Sequence, residues 1–478
     1  MSLPIKKILI ANRGEIAVRI ARACAEMGIT SVAIYTDSDR HALHVKKADE
    51  AHNIGPDPVA GYLNAHRIVD LAVSTDCDAI HPGYGFLSEN PILARTCACR
   101  GVRFIGPTPD VIQRMGDKTA ARHAMAAAGI PIIPGTDHNL RNLDEALIKA
   151  EEFGYPVMLK ATSGGGGRGI RRCNSETELR NAYQRVLSEA TKAFGSADVF
   201  MEKCIVHPRH IEVQVLADHH GNVIHLFERD CSIQRRHQKL IEIAPSPQLT
   251  ATQRQYLGDL GVRAAQAVGY TNAGTIEFLM DDESKFYFME MNTRLQVEHT
   301  ITETITGIDI VQEQIRITAG RPLRYRQEDV ALRGYAMQFR INVEDPANDF
   351  LPSFGRITRY LAPGGPGVRT DAAIYSGYEI PPYYDSLAVK LIVWALSWDD
   401  VLARGRRALV DMGVDGVKTT LPYYHEILKN EEFQSGQFDT SFVENHPELV
   451  RYTTRRNPAN TATAIAAAIV AHLGYATR

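Results

Sequence analysis

Two carboxylates and an amide recur at short intervals in Thr275-Ile276-Glu277-Phe278-Leu279-Met280 and Phe286-Tyr287-Phe288-Met289-Glu290-Met291-Asn292. The polar residues 281–284 separate these apolar runs, a pattern that predicts a β-hairpin with a four-residue loop. Such a loop pairs Met280 with Lys285, sets Glu277 opposite Phe288, and leaves Glu277 and Glu290 diagonal neighbours. Period-two alternation then places Glu277, Phe288, Glu290 and Asn292 on one face. Two carboxylates on such a face repel unless a hard cation lies between them, so a divalent metal with bound phosphate is the chemistry that fits. The plain alternative is a wet, charged hairpin face with no role. The next residues along the chain favour a site. Arg294, Gln296 and Glu298 alternate in turn, aiming a cation, a neutral hydrogen-bonder and a base just beyond the carboxylates.

The elements that must position these residues read as alternating strands and helices. Residues 5–10 form a buried strand, a helix follows with Ile16, Ile20, Cys24 and Met27 at helical spacing and Gly28 at its stop, and 31–35 is the next strand. The turn between them lacks the glycine triplet that admits a pyrophosphate, so a Rossmann-like layer without a dinucleotide is expected. Residues 78–90 form a strand and a glycine-punctuated loop open to either a functional or a structural role. Asp117 caps a helix through Ala128, and Lys118 in its first turn is badly placed unless an anion is near.

The strand 156–160 ends on Lys160 and leads into Ser163, Gly164, Gly165, Gly166, Gly167, Arg168 and Gly169. The match to Gly-x-Gly-x-x-Gly is formal only, because no helix opens directly after it and no Gly-Lys-Ser/Thr is present. Unhindered amides and Arg168 instead suggest a hairpin tip that closes over phosphates, against the alternative of a plain surface loop. Gln234, Arg235, Arg236, His237 and Lys239 belong to the densest basic stretch, which reads as an anion pocket. Cys204, His207 and His210 match no common zinc spacing. A strand at 335–342, with Gln338 and Arg340 on one face, opens a third domain.

With 478 residues, 44% apolar and 23% charged, the chain has room for two or three ordinary globular domains. A net charge of −3 and a pI near 6.6 give no general pull toward nucleic acid or membrane. Seven scattered cysteines without a Cys-x-x-Cys pair suit a reducing compartment. The start has too short an apolar run for a signal peptide, and 464–471 falls well short of a membrane span, so the cytoplasm is the expected location.

Together, residues 11–16, 81–90, 115–118, 164–169, 228–239, 290–299 and 381–386 resemble the motifs of biotin carboxylase, an ATP-grasp enzyme, over 6–444. The resemblance implies an α/β (in part α+β) fold: a Rossmann-like domain at 1–114, an ATP-grasp domain at 115–330 with a mobile lid at about 131–204, a mixed α/β C-terminal domain at 331–446 and a helical tail at 447–478. It implies ATP-dependent carboxylation of biotin by bicarbonate.

In family terms Lys118, Lys160, the glycine loop with Arg168, and His237 would contact ATP phosphates. Glu202, Lys203, His210, Gln234 and Leu279 would contact adenine and ribose. Glu277, Glu290 and Asn292 would hold magnesium or manganese. Lys239, Arg294, Gln296 and Val297 would contact bicarbonate, Glu298 would deprotonate it, and Arg340, from the opposite wall, would stabilise the biotin enolate.

Ser163 stands where the family often has glycine or an apolar residue, which costs about 1 kcal/mol if that position needs φ > 0. No methionine here precedes a lysine, so the biotin-accepting Met-Lys-Met is absent. Biotin is therefore expected on a separate carrier. A further expected partner is the subunit that performs carboxyl transfer, and the assembly is expected to be a homodimer or larger complex. The stretch beyond Gln434 looks most like the stand-alone ATP-dependent subunit of two-subunit pyruvate carboxylases. Competing expectations are a subunit of an acetyl-CoA or other acyl-CoA carboxylase, a different ATP-grasp ligase, and a non-catalytic ATP-binding module. The different ligase has no need of the Arg294-x-Gln296-Val297-Glu298 run, and a non-catalytic module would be expected to have lost a metal ligand or Glu298, all of which are present.

Overall fold

The computed structural model describes residues 4–161, 170–194, 198–452 and 458–472. Near the N-terminus the strands Glu50–Asn53, Thr30–Tyr35, Lys7–Ile10, Ala79–His81 and Arg103–Phe104 lie side by side in that order, all parallel. Ile8, Val32, Ile34 and Ile80 are wholly buried, as a parallel sheet covered on both faces requires. The helix Gly14–Glu26 packs Ile16, Ile20 and Cys24 against Ile8 and Ile10, and the chain leaves it through Gly28 at a φ of 68°. Strand order reverses beside Lys7–Ile10, the place where open sheets of this kind bind ligands. Here Asn12 bridges that crevice, its Nδ2 donating to Pro82 O at 2.7 Å and to Tyr84 O at 2.8 Å. Gly83 permits the approach, because a Cβ there would lie 2.9 Å from Asn12 Nδ2.

The helix Lys118–Ala127 follows, with Asp117 as its cap accepting from the amides of Thr119 and Ala120. Ile170–Cys173, Val157–Ala161 and Val199–Lys203 then make a small antiparallel sheet. Val157, Leu159 and Val199 pack with Ala146 of Leu143–Phe153 and with Leu179 and Val186 of Glu176–Phe194. The glycine-rich stretch with Ser163, Gly164, Gly165, Gly166, Gly167 and Arg168 lies outside the described residues.

The largest element is an eight-stranded antiparallel sheet. Its order is Phe286–Asn292, Asn272–Met280, Arg209–Ala217, Val223–Arg235, Gln238–Ala244, Tyr335–Asn342, Leu387–Ala395 and Val368–Ala372. Ile211, Val213 and Val215 join a core with Leu257, Leu260 and Ala264 of the helix Ala251–Ala267. The alternate residues Glu212 and Gln214, also fully buried, belong to the other face. The sheet runs unbroken from the carboxylate hairpin to Tyr335–Asn342, so Arg340 shares a scaffold with Glu277 and does not meet it from a separate opposite wall. Among the described residues no helix is long and apolar enough to cross a membrane.

The hairpin departs from expectation. Met280 pairs with Phe286, not Lys285, and a bulge at Met289 sets Glu277 directly opposite Glu290. Phe288 pairs with Phe278 and joins the helix-side core, so it does not share the face of Glu290. The two rings meet edge to face with centroids 6.4 Å apart, worth about 0.5–1.5 kcal/mol beyond the area they bury. Burying both apolar runs decides the register over loop length, and the extra residue restores the carboxylates to the functional face.

Candidate active site

The functional face is organised around one ammonium group. Lys239 Nζ lies 2.6 Å from Glu212 Oε2, 2.6 Å from Glu298 Oε1 and 3.1 Å from Glu277 Oε1. Three buried carboxylates converge only because this cation lies among them. Arg340 closes one flank, with Nη2 donating to Glu298 Oε2 at 3.1 Å and Nε donating to Glu242. Arg229, without any exposure, donates to Glu212, Gln214, Thr275 and Thr302 behind them. Toward the hairpin, Asn292 Nδ2 and Gln296 Nε2 donate to Glu277 Oε1 at 2.8 and 3.0 Å, and His210 Nε2 stands 2.8 Å from Glu277 Oε2. Arg294 ties this row together, donating to Asn292 Oδ1 and Gln296 Oε1 at 2.9 Å each and to Glu89 Oε2 at 2.8 Å.

Electrostatics separate the three site carboxylates. Burial works to raise the Glu298 carboxyl, but Lys239, Arg340 and Arg229 outweigh it and hold it well below the usual range. Glu277 is likewise lowered, because Lys239 and His210 overcome its burial. Glu290 goes the other way. Burial and the charge of Glu277 push it up, and Lys118 only partly offsets them. Among the described residues Glu290 has no hydrogen-bond or ion-pair partner. Two facing carboxylates, one with its charge unmet, fit a hard divalent cation. Asn292 fits less directly, since it turns Nδ2 to Glu277 and Oδ1 to Arg294. His210, Glu212 and Glu277 also cluster like ligands, but Lys239 already bridges two of them.

The remaining expected residues lie around this core. Lys160 and Arg122 both pair with Glu202. Burial lowers the Lys118 ammonium, with Glu290 opposing the drop and Lys160 adding to it. The tip turn that carries His237 is pinned through Arg235 and Arg236, which both donate to Asp349. Gln234 pairs in register with Lys239, and Leu279 with His210. Lys203 points its ammonium at the carbonyls of Gly154 and Tyr155, 2.7 and 3.3 Å away, so that group is not aimed at the cluster. Cys204, His207 and His210 do not converge, since His207 pairs with Asp439 and His210 with Glu277. Sequence reasoning missed Glu212, Arg229, Glu242, Glu89, Arg122 and Lys390 as parts of the charge network. A signal existed for three of them. Glu212, Glu242 and Lys390 each interrupt an apolar strand, and a charge buried there needs a partner.

Three family models match in series. They are the biotin carboxylase N-terminal domain over residues 4–112, the carbamoyl-phosphate synthase L chain ATP-binding domain over 117–326, and the biotin carboxylase C-terminal domain over 338–445. The chain belongs to the biotin carboxylase family. It is 54% identical over 469 residues to the 2-oxoglutarate carboxylase small subunit of Hydrogenobacter thermophilus, covering 98% of this chain and 99% of that one. To biotin carboxylase 1 of Bacillus subtilis it is 53% identical over 444 residues, 92% of this chain and 99% of the other. To a pyruvate carboxylase subunit of Methanothermobacter thermautotrophicus it is 52% identical over 441 residues, 92% and 90% of the two chains.

Solved structures agree with this placement. The biotin carboxylase domain dimer of the Hydrogenobacter 2-oxoglutarate carboxylase, in complex with magnesium ADP, ADP and bicarbonate, matches with a TM-score of 0.93 at 55% identity, over 95% of this chain and all (100%) of that one. A Campylobacter jejuni biotin carboxylase matches with a TM-score of 0.91 at 46% identity, over 92% and 99% of the two chains. Membership makes this chain an ATP-dependent ligase.

Proposed function

We propose that this chain carboxylates biotin on a separate carrier protein, with ATP and bicarbonate and through carboxyphosphate, as the biotin carboxylase subunit of a pyruvate carboxylase. The observation that carries the mechanism is the Lys239 ammonium shared by Glu212, Glu277 and Glu298, with Arg340 on the far oxygen of Glu298. At rest these cations keep Glu298 ionised but weakly basic. Bicarbonate entering beside Lys239, Arg294, Gln296 and Val297 takes up part of their charge, which raises the basicity of Glu298. Glu298 then removes the bicarbonate proton while a bicarbonate oxygen attacks the γ-phosphorus, and ADP departs.

Phosphoryl transfer of this kind depends mainly on positioning and charge neutralisation. Lys118, Lys160, His237 and the loop of Gly164, Gly165, Gly166, Gly167 and Arg168 would surround the phosphates. Glu202, Lys203, His210, Gln234 and Leu279 would line the base and sugar, for which Lys203 and His210 exchange their present partners. Glu277 and Glu290, with Asn292 after an amide turn, would hold a magnesium or manganese ion, which would supply fixed positive charge at the phosphate oxygens. Arg340 meets the charge that develops on the ureido oxygen of biotin.

The assay measures ATP cleavage with and without bicarbonate and free biotin. Bicarbonate-dependent cleavage accompanied by carboxybiotin is expected, and its absence would overturn the reading. 2-Oxoglutarate is the competing acceptor, favoured by the relative matched over 98% of this chain. Reconstitution with carrier and carboxyltransferase subunits, offered pyruvate or 2-oxoglutarate, separates the two. The proposed setting is the cytoplasm, as a homodimer or within a larger complex.

A further inference from the structure

Residues 293–298, which carry Arg294, Gln296 and Glu298, leave the sheet and have no ladder to hold them. Arg294 Nη1 donates to Leu295 O within the segment, and the amides of His299 and Ile301 at the start of the helix His299–Thr306 donate to Gln296 O and Glu298 O, at 3.3 Å each. Three side chains from outside the segment also hold its backbone. Thr293 N donates to Glu89 Oε1 at 3.3 Å, His299 Nδ1 stands 2.7 Å from Gln296 O, and Lys390 Nζ donates to Val297 O at 3.0 Å. Lys390 is the unusual member. It has no exposure, it lies beside Arg340 on the neighbouring strand, and its second partner is Glu15 Oε2 at 3.0 Å. Glu15, also buried, accepts from the Tyr84 hydroxyl through its other oxygen. The chain of contacts thus runs from the first turn of the helix Gly14–Glu26, past the loop after Ala79–His81, through the strand Leu387–Ala395, to the peptide that precedes Glu298.

We propose that Lys390, backed by Glu15 and Tyr84, is a positioning residue that fixes the Val297–Glu298 peptide and so aims the Glu298 carboxylate at bicarbonate. The peptide is planar, so holding Val297 O also sets the amide and Cα direction of Glu298. A buried ion pair adds little as mere packing, since well-packed apolar residues often replace one without loss. The third contact, to the carbonyl joined to the base, gives this pair a task that apolar residues cannot perform. Small displacements of a catalytic group carry large rate effects, which makes such a support consequential.

The inference rests on Glu298 being the base, so Glu298→Gln is assayed alongside. Lys390→Met and the pair Glu15→Gln with Lys390→Met are prepared in the full chain. Melting temperature and the KM for bicarbonate and for ATP are then measured in ATP cleavage. Lys390→Met is expected to lower Tm, because it strands Glu15 without a counter-charge, and the double variant is expected to recover most of that loss. The KM for bicarbonate is nevertheless expected to rise about tenfold in both, with the KM for ATP within about twofold. Recovery of the bicarbonate KM together with Tm would make the pair a structural tie and overturn the proposal. If Lys390→Met alone does not fold, the double variant decides. Failure of both to fold counts against the proposal, because a positioning contact is not a folding requirement. If Glu298→Gln abolishes bicarbonate-dependent cleavage while the Lys390 variants keep a normal bicarbonate KM, only the positioning role falls. Retained cleavage in Glu298→Gln removes the base itself.

Discussion

The two ends of the cleft follow opposite electrostatic rules. Around Glu298 every charge is answered, by Lys239, Arg340 and, one layer back, Arg229 against Glu212. Across the hairpin, Glu290 and Lys118 have no hydrogen-bond or ion-pair partner among the described residues, and burial raises the Glu290 carboxyl and lowers the Lys118 ammonium. The first end is completed by folding and the second is left for ligands to complete. A base and its cations set in place need no reorganisation when charge moves. A mutually repelling acid pair relaxes only when cations and phosphates arrive, which couples its stability to binding.

The strongest break in this contrast is Glu298→Gln. Bicarbonate-dependent ATP cleavage and biotin carboxylation are expected to fall together by about 10²–10⁴-fold, measured on the same samples. A drop in carboxylation alone would show that Glu298 is not needed for the first step.

Arg340→Ala should fall unevenly. Lys239 and Arg229 still hold Glu298, so ATP cleavage is expected to drop by about tenfold or less, while carboxylation falls by about 10²-fold or more. Arg340→Lys should rescue poorly, because the Nε contact to Glu242 and the Nη2 contact to Glu298 require the guanidinium fork. Equal losses in both activities would remove this division of labour.

The sharpest test of the contrast sets Glu277→Gln beside Glu290→Gln in magnesium-free urea unfolding. Glu277 answers Lys239, His210, Asn292 and Gln296, so its replacement should cost about 1–3 kcal/mol. Among the described residues Glu290 meets only the through-space charge of Lys118, so its replacement should be neutral or stabilising by up to about 1 kcal/mol. Both variants should need more magnesium for turnover. Equal destabilisation would show that the hairpin acids are equivalent.

The smallest effect is expected at the imidazole of His446. Burial works to lower the His446 imidazole, but Glu432 and Glu448 outweigh it and raise it above its ordinary value. Their contribution is therefore full below about pH 6.5 and fades as pH rises through the raised value. His446→Gln should flatten that slope in Tm against pH without changing bicarbonate or ATP KM. A change in either KM would place this cluster in the catalytic network.

Much of the site was legible because neighbouring side chains obey local periodicity. The helix cap at Asp117 and the strand Tyr335–Asn342 follow from spacing of 3.6 or two residues. The row of Arg294, Gln296 and Glu298 does not, since these residues lie in a turn off the sheet with Gln296 and Glu298 buried. The pairing of Glu277 with Glu290 did not follow, since the bulge at Met289 answers to the burial of Phe278 and Phe288 together. Nor did the partners of the buried charges. A strand that reads Ile211-Glu212-Val213 announces a charge needing company, but Arg229, Lys239 and Lys390 find their carboxylates across 15 or more residues of chain. By itself the sequence determined which side chains can do chemistry and, away from bulges and turns, which way a strand turns them. Only the tertiary structure decided which opposite charges meet, because that depends on strand order and register, and these are set by burying the apolar faces of several elements at once.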